Sequence, residues 1–268
     1  METNKFTLMQ WNILAKIYAT NESFPNVNEN YLKWEYRNKL ILNILSTENP
    51  DIFCLEEVND FELVKNDILN KLNNKYEIIF EIRNDNVIGN IIALNKELFK
   101  LINYTKINLM KSENDDNPQI CLIAKIQYIK TNKEFFIICT HLKAKKIYEN
   151  ERIIQMKTII DYLNKNNIKN FIFCGDFNTE PNSDVIKLIS NYSEGIESCF
   201  DYDELKYTTY KIRKTNEIRI IDYIFYQKNF FNKINCYKAK PTINEKIGLP
   251  NEIFPSDHLY LKTEFNFI

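Results

Sequence analysis

Polar residues that could do chemistry recur in one setting along this 268-residue chain: at or near the end of an apolar run. His141 closes the run Phe135–Thr140, and the only other histidine, His258, follows Pro255-Ser256-Asp257. Asn12 lies in Met9-Gln10-Trp11-Asn12, and Glu57 ends Cys54-Leu55-Glu56-Glu57. Phe171–Cys174 leads into Gly175-Asp176-Phe177-Asn178, where a glycine turn offers two polar side chains, at i and i+2, to one face. Asp222 lies between Ile221 and Tyr223 within Arg219–Tyr226. Singly, each has a plain reading: Glu57 as a solvated strand end, Asn12 as a hydrogen-bonded core amide, His141 as a structural histidine. Together, four carboxylates, two asparagines and two histidines at strand ends describe a site, because strand ends that converge on one sheet edge bring side chains together. Such hard oxygen donors suit Mg²⁺ or Mn²⁺ and not zinc. An ion held by one or two carboxylates plus substrate phosphate is the pattern of phosphoryl chemistry.

The elements that must position these residues alternate between strand and helix. Apolar runs and alternation predict strands over 6–14, 51–57, 76–82, 88–95, 101–109, 119–129, 134–141, 171–175, 207–211, 219–226, 232–239 and 258–267. Helices are expected over 31–47, with Trp34, Ile41, Ile44 and Leu45 on one stripe, over 59–73, and over 148–165, with Ile153, Met156, Ile160 and Leu163 on another. A short helix should follow Pro181, and Ser112–Pro118 reads as a polar loop. Adjacent strands without intervening helices imply antiparallel pairing, so a mixed-sheet α/β sandwich fits better than a doubly wound parallel sheet.

Composition narrows the function classes. With 44% hydrophobic and 26% charged residues the chain is an ordinary globular sequence and not a disordered one. No apolar run reaches the ~18 residues of a membrane span. The net charge of −1 argues against a protein that coats nucleic acid but leaves room for a small basic pocket. The six cysteines form no C-x-x-C pair and read as free thiols in a reducing compartment. The first residues carry no apolar segment, so an intracellular, cytoplasmic protein is expected. The absence of repeats and of Gly/Ser or Pro-rich linkers predicts a single domain over 1–268.

The stretches MQWNILA, KWEYRNKLIL, DIFCLEEV, THLKAK, CGDFNTEP, YTTYKIR, IDYIFY and PSDHL run in this order through the chain. The sequence resembles the endonuclease/exonuclease/phosphatase superfamily and, within it, the nocturnin and deadenylase branch. The resemblance implies a four-layer α/β sandwich of the DNase I-like kind, with two facing mixed sheets and the site at one mouth. It also implies roles. Glu57 matches the principal metal-binding Glu, Asn12 the Asn that orders metal and phosphate, and Asp257 a second metal-side carboxylate. Asp176 matches the residue that orients or deprotonates water, and Asn178 its partner on the phosphate. His141 matches the donor to a phosphoryl oxygen, His258 the His that aids water activation, and Asp222 its paired carboxylate.

Four basic positions refine the expected substrate. Lys143 and Lys145 should alternate on an extended stretch and share the side of His141, with Lys146 facing solvent. Arg213 matches an Arg near substrate phosphate, and Arg83 aligns with another basic contact. The branch carries Arg where this chain has Lys145, which keeps charge and loses bidentate geometry. The base-side turn is reduced here to Asn84-Asp85-Asn86-Val87-Ile88-Gly89, and no leucine-rich repeat for complex assembly is present, so a monomer is expected. The implied activity is Mg²⁺-dependent 3′–5′ exoribonuclease action on short A-rich RNA. Alternatives on the same centre are removal of the 2′-phosphate of NADP(H) and cleavage of 2′–5′ oligoadenylate or another signalling nucleotide. An inactive binding module is disfavoured because every position carried over is filled.

Overall fold

The structure, a computed structural model, describes residues 4–84, 87–109, 118–213 and 216–268. Asp85 and Asn86 of the base-side turn, and the expected polar loop at 112–118 up to residue 117, lie outside the described residues. The chain begins β1 (Lys5–Asn12), α1 (Glu29–Leu32), α2 (Trp34–Glu48), β2 (Ile52–Val58), α3 (Phe61–Lys71), β3 (Tyr76–Ile82) and β4 (Gly89–Asn95). It continues β5 (Phe99–Leu109), β6 (Gln119–Tyr128), β7 (Lys133–His141), α4 (Glu149–Lys165), β8 (Phe171–Asp176), α5 (Asp184–Ser190), β9 (Ile196–Ser198) and α6 (Tyr202–Leu205). It ends β10 (Thr209–Lys211), β11 (Glu217–Arg219), β12 (Asp222–Gln227), β13 (Phe231–Lys238) and β14 (Leu261–Phe267).

Two six-stranded sheets form, in the orders β13-β14-β1-β2-β4-β3 and β5-β6-β7-β8-β12-β9, with β10 and β11 as a separate hairpin. Each large sheet has one parallel pair, β1 with β2 and β7 with β8, and each pair is joined by a helical crossover through α2 or α4. The other pairs are antiparallel, so both sheets are mixed. Met9, Trp11, Phe53 and Leu55 turn outward onto Trp34, Ile41 and Leu45 of α2 and Val64 and Ile68 of α3. Phe171, Phe173, Tyr223 and Phe225 turn outward from the other sheet onto Met156, Ile159 and Leu163 of α4 and Val185 of α5. The layers are therefore helix, sheet, sheet, helix. Among the described residues no helix is long and apolar enough to cross a membrane.

The rows that point between the sheets explain where the site lies. Strand side chains alternate faces, so every second residue meets the opposite sheet. Along β1 the inward row is Phe6, Leu8, Gln10, Asn12, and along β7 it is Phe135, Ile137, Cys139, His141. On β8 it is Ile172, Cys174, Asp176, and β12, running the other way, gives Tyr226, Ile224, Asp222. Each row thus passes from apolar residues to a polar one at the same end. At the opposite end Phe6, Phe99, Phe135, Phe231, Phe265 and Phe267 cluster with ring centroids 5.1–6.1 Å apart in most pairs. Burying a phenyl ring stabilises by about 1.5–3 kcal/mol, so that end anchors the sandwich.

Two expected elements divide. The helix over 31–47 breaks at Lys33, whose ψ of 135° is extended, giving α1 and α2. The strand over 219–226 splits into β11, which pairs in the hairpin, and β12, which pairs with β8, so Asp222 opens a new strand at the sheet edge. The six cysteines are all free.

Candidate active site

Pairing register sets the positions. His141 and Asp222 both lie opposite Asp176 in the second sheet, and Asn12 lies opposite Glu56 in the first. Parallel pairing of β7 and β8 at this point requires glycine: a Cβ on Gly175 would stand 1.9 Å from the Thr140 carbonyl oxygen, and its φ is +148°. A bulge in β2 interrupts the β2–β4 register between Leu55 and Val58, and Glu57 adopts φ 59° there. Strict alternation would send Glu57 to the helix side with Leu55. The left-handed backbone instead turns it to the mouth, a use of bulges that recurs beside active sites.

Asp176 Oδ2 is the hub. It accepts a 3.0 Å hydrogen bond from Asn12 Nδ2 and lies 3.6 Å from His141 Nε2 and 3.7 Å from His258 Nε2. Those two separations are beyond hydrogen-bond range and leave both Nε2 atoms for a ligand. Asp176 Oδ1 accepts from the Asn178 N–H at 2.9 Å, and Asn178 Nδ2 donates to the Leu142 carbonyl, so Asn178 ties the β8 turn to the residue after His141. Burial pushes the Asp176 carboxyl up, but the two histidines and the Asn178 and Asn12 donors prevail and hold it below its ordinary value. Burial opposes protonation of His258, yet the Asp222 and Asp176 carboxylates raise its pKa overall. Burial, together with the Asp176 charge, raises Asp222.

Behind this layer Gln10 Nε2 donates both to Asp222 Oδ1, at 3.2 Å, and to Glu56 Oε2, at 2.9 Å. Glu56 is fully buried, and burial with the nearby Cys174 and Asp222 pushes its carboxyl well up. Arg37, stacked on Trp34, donates to the carbonyls of Leu32, Ile13 and Pro255. It thereby clasps the segment after Asn12 to the segment before His258. Burial lowers its pKa to about 10, against the Glu57 charge. Ser256 adds a second tie, donating to the Asn12 carbonyl at 2.6 Å while accepting from the His258 N–H.

A divalent cation fits this donor set. Glu57, Asp176, Asp222 and Asp257 supply four carboxylates in a small volume, and the Asp257 carboxylate is 1% exposed with no hydrogen-bond donor to either oxygen among the described residues. Its one ionic contact among the described residues beyond His258 is Lys211, with Nζ 2.5 Å from Oδ2 outside hydrogen-bonding angles. Among the described residues, Asp176, Asp222 and His258 bring three potential ligand atoms within 4.8 Å of one another. Asp222, however, is already engaged by His258 Nδ1 and Gln10. Glu57 faces the cavity, accepting from Asn12 Nδ2 at 3.1 Å and from the Ala15 N–H at 2.9 Å. Asn12 presents Nδ2 to both carboxylates, and its Oδ1 is taken by the Leu14 N–H.

The mouth opens into a cavity of about 640 Å³ whose wall includes Glu57, His141, Asp176, Asn178 and His258. Arg83, Lys145, Lys146, Lys211, Arg213 and Arg219 ring it. The sequence expectation for Lys143 fails in a specific way. The chain leaves the strand at His141, Lys145 takes φ 75°, and the Lys143 ammonium sits over the Tyr148 ring, 5.3 Å from its centroid, off the cavity wall. Lys146, expected in solvent, is 77% exposed but lines the mouth, 3.9 Å from Glu180. Arg213 pairs with Glu217, which also meets Arg219 at 3.6 Å, and Arg83 donates to Gln119 at 3.4 Å. Lys211 and Arg219 were not singled out from sequence. The signal for Lys211 was its i, i+2 relation to Arg213, and for Arg219 the hairpin pairing that sets it opposite Thr209.

The chain has counterparts among known proteins. The family model described as the Endonuclease/Exonuclease/phosphatase family matches residues 9–258. Nocturnin of Xenopus laevis is 32% identical over 286 residues, covering 98% of this chain and 72% of that protein. The chain spans 65% of the length of the mammalian nocturnins it matches. The CCR4-Not complex 3′–5′-exoribonuclease subunit Ccr4 of Saccharomyces cerevisiae is 26% identical, covering 98% of this chain and 39% of that protein. The structure of the human Nocturnin catalytic domain with bound sulfate anion superposes with a TM-score of 0.78 at 28% identity, covering 99% of this chain and 94% of that one.

Proposed function

The chain belongs to the endonuclease/exonuclease/phosphatase family of phosphoester hydrolases, and within it we propose a Mg²⁺-dependent 3′–5′ exoribonuclease that releases 5′-nucleotides from A-rich ends. One observation carries the chemistry: Asp176 Oδ2 stands between two imidazole Nε2 atoms, beside Glu57, on the wall of a cation-rimmed cavity. Ccr4 and nocturnin relatives support the substrate class, and enzymes of this family generally depend on a divalent metal.

In this reading Glu57 is the principal ligand of Mg²⁺ or Mn²⁺, with Asp257 and Asn12 at its flanks. When bound, the ion neutralises charge on the phosphoryl oxygens and polarises the phosphorus centre. Asp176, held ionised, accepts a proton from the attacking water. Asp222 fixes the tautomer and orientation of His258 through Nδ1, so that Nε2 faces the reacting group. His141 and Asn178 act on the non-bridging oxygens, and stabilisation of such developing charge by preplaced donors is the main contribution proteins make to phosphoryl transfer. Lys145, Lys146, Lys211 and Arg213 hold the remaining phosphates. Lys143 contributes through Tyr148 and the loop.

A second reading, removal of the 2′-phosphate of NADP(H), is favoured by one feature. Six cations ring a cavity of about 640 Å³, a size suited to a compact polyanion. A side-by-side assay separates the two. With Mg²⁺ present, a short oligo(A) is scored for 5′-AMP and NADPH for released phosphate, and Glu57→Ala is the blank. Release of 5′-AMP with inert NADPH supports the exoribonuclease, and the converse transfers the assignment to the dinucleotide phosphatase.

A further inference from the structure

Between β7 and α4 the chain passes through Lys143 and Lys145 and makes a 3₁₀ turn over Lys146–Tyr148. It leaves β7 at His141 and holds Lys145, just before that turn, at a φ of 75°. A non-glycine residue keeps such a backbone only where its surroundings over-determine it. One buried side chain grips three carbonyls of this segment. Arg152 of α4 is 2% exposed. Its Nη1 donates to the Lys143 carbonyl at 2.7 Å and to the Lys145 carbonyl at 2.8 Å, and its Nη2 reaches the Lys146 carbonyl at 3.4 Å. Nε and Nη2 also donate to Glu149 Oε2, at 3.0 and 2.6 Å. All five guanidinium N–H donors are accounted for, and none faces the cavity.

The clasp extends on both sides. Glu149 accepts from Thr179 Oγ1 at 3.0 Å, and Thr179 follows Asn178. One turn along α4, the buried Gln155 accepts the Lys143 N–H at 2.9 Å and donates to the Leu109 carbonyl. Arg152 therefore joins the lysine loop to the Asn178 turn, through Glu149 and Thr179, from behind the cavity wall and without lining the cavity itself.

We infer that Arg152 is a positioning residue that sets where the Lys145 and Lys146 ammonium groups stand, and through them sets affinity for the substrate's phosphates. The inference rests on the reading above that these lysines hold phosphate. Lysine cannot replace the planar fork, because its three donors radiate from one point. Arg152→Lys keeps the charge and loses the simultaneous grip on three carbonyls.

The test is steady-state kinetics on oligo(A) and on NADPH, both with Mg²⁺, for wild type, Arg152→Lys, Lys145→Ala/Lys146→Ala and the combination of all three. Arg152→Lys is expected to raise KM about tenfold with kcat within about twofold. In the lysine-free background the same change should move KM by less than about twofold, because its effect passes through groups no longer present. An equal rise in both backgrounds, or a fall in kcat at constant KM, overturns the inference. If Arg152→Lys does not fold, Glu149→Gln removes the anchor of the same clasp and should raise KM about threefold with the same dependence on background. Should Lys145→Ala/Lys146→Ala leave KM unchanged, the phosphate-holding reading itself fails and the inference falls with it. A raised KM in that pair with an unchanged KM in Arg152→Lys removes the positioning role alone.

Discussion

His258 Nδ1 lies 2.9 Å from Asp222 Oδ2, and both side chains are buried. A carboxylate in that place can only accept, so Nδ1 carries a proton and the tautomer of the ring is fixed. Asparagine would offer an N–H to the same nitrogen and favour the other tautomer. Asp222→Asn is expected to lower kcat by about 10²-fold or more with little change in KM, the pattern of a lost transition-state interaction. Steady-state kinetics beside a melting curve checks it. A kcat within threefold of wild type would remove the pair from the mechanism.

Glu57 is held by one side-chain and one backbone donor at the mouth, and its side chain is 12% exposed. Removing it should spare the fold and remove the metal. Glu57→Ala is expected to lose more than about 10³-fold in activity while its metal-free melting temperature stays within a few degrees of wild type. Mg²⁺ should raise the melting temperature of wild type, since binding to the folded state alone adds RT ln(1 + [L]/Kd), and should not raise that of Glu57→Ala. EDTA should silence the wild type, with Mg²⁺ or Mn²⁺ restoring it.

The raised pKa of His258 has a consequence for stability in the metal-free protein. Burial works against the imidazolium, and Asp222 and Asp176 more than compensate, so the folded value lies above 6.5. Folding therefore favours the protonated ring. The stabilisation is fully present below about pH 6.5 and is lost as pH rises through the folded value. In EDTA, the melting-temperature gap between wild type and His258→Gln should be widest near pH 6 and shrink by a few degrees towards pH 9. A gap that widens with pH would show that the ring folds neutral.

The inward rows were legible in the sequence. Phe-x-Ile-x-Cys-x-His from Phe135 to His141, and Ile-x-Cys-x-Asp from Ile172 to Asp176, show both the strand period and the polar end. Departures from the strand period were not, even where the residue itself was singled out. Glu57 reaches the site through a left-handed backbone, and Lys143 departs because the chain turns after His141. The two clasping arginines left a signal of another kind. Arg37 falls in the buried stripe Trp34, Arg37, Ile41, Leu45, and Arg152 in the stripe Arg152, Met156, Ile159, Leu163. Of the stripe expected on that helix, Met156 and Leu163 are buried and Ile153 and Ile160 only partly so. A charge inside an apolar stripe marks a buried group whose partners are main-chain carbonyls, but which carbonyls depends on the tertiary fold.

Lys211 shows what such distant pairing decides. It comes from the small hairpin, and its partner Asp257 precedes β14. Burial lowers the Lys211 pKa, against the pull of Glu57, Glu217 and Asp176. Its side chain is 20% exposed, so solvent screens part of the pair. Lys211→Met keeps the stem and removes the charge, leaving Asp257 buried with His258, 3.8 Å away, as its remaining ionic contact among the described residues. The variant is expected to lose about 2 kcal/mol of stability in EDTA, less than a fully buried pair would cost. Saturating Mg²⁺ should return part of that loss if Asp257 flanks the metal, because the ion then supplies the missing positive charge. Urea unfolding with and without Mg²⁺ separates the outcomes: equal losses in both conditions place Asp257 outside the metal's reach, and recovery in Mg²⁺ places it at the flank of Glu57.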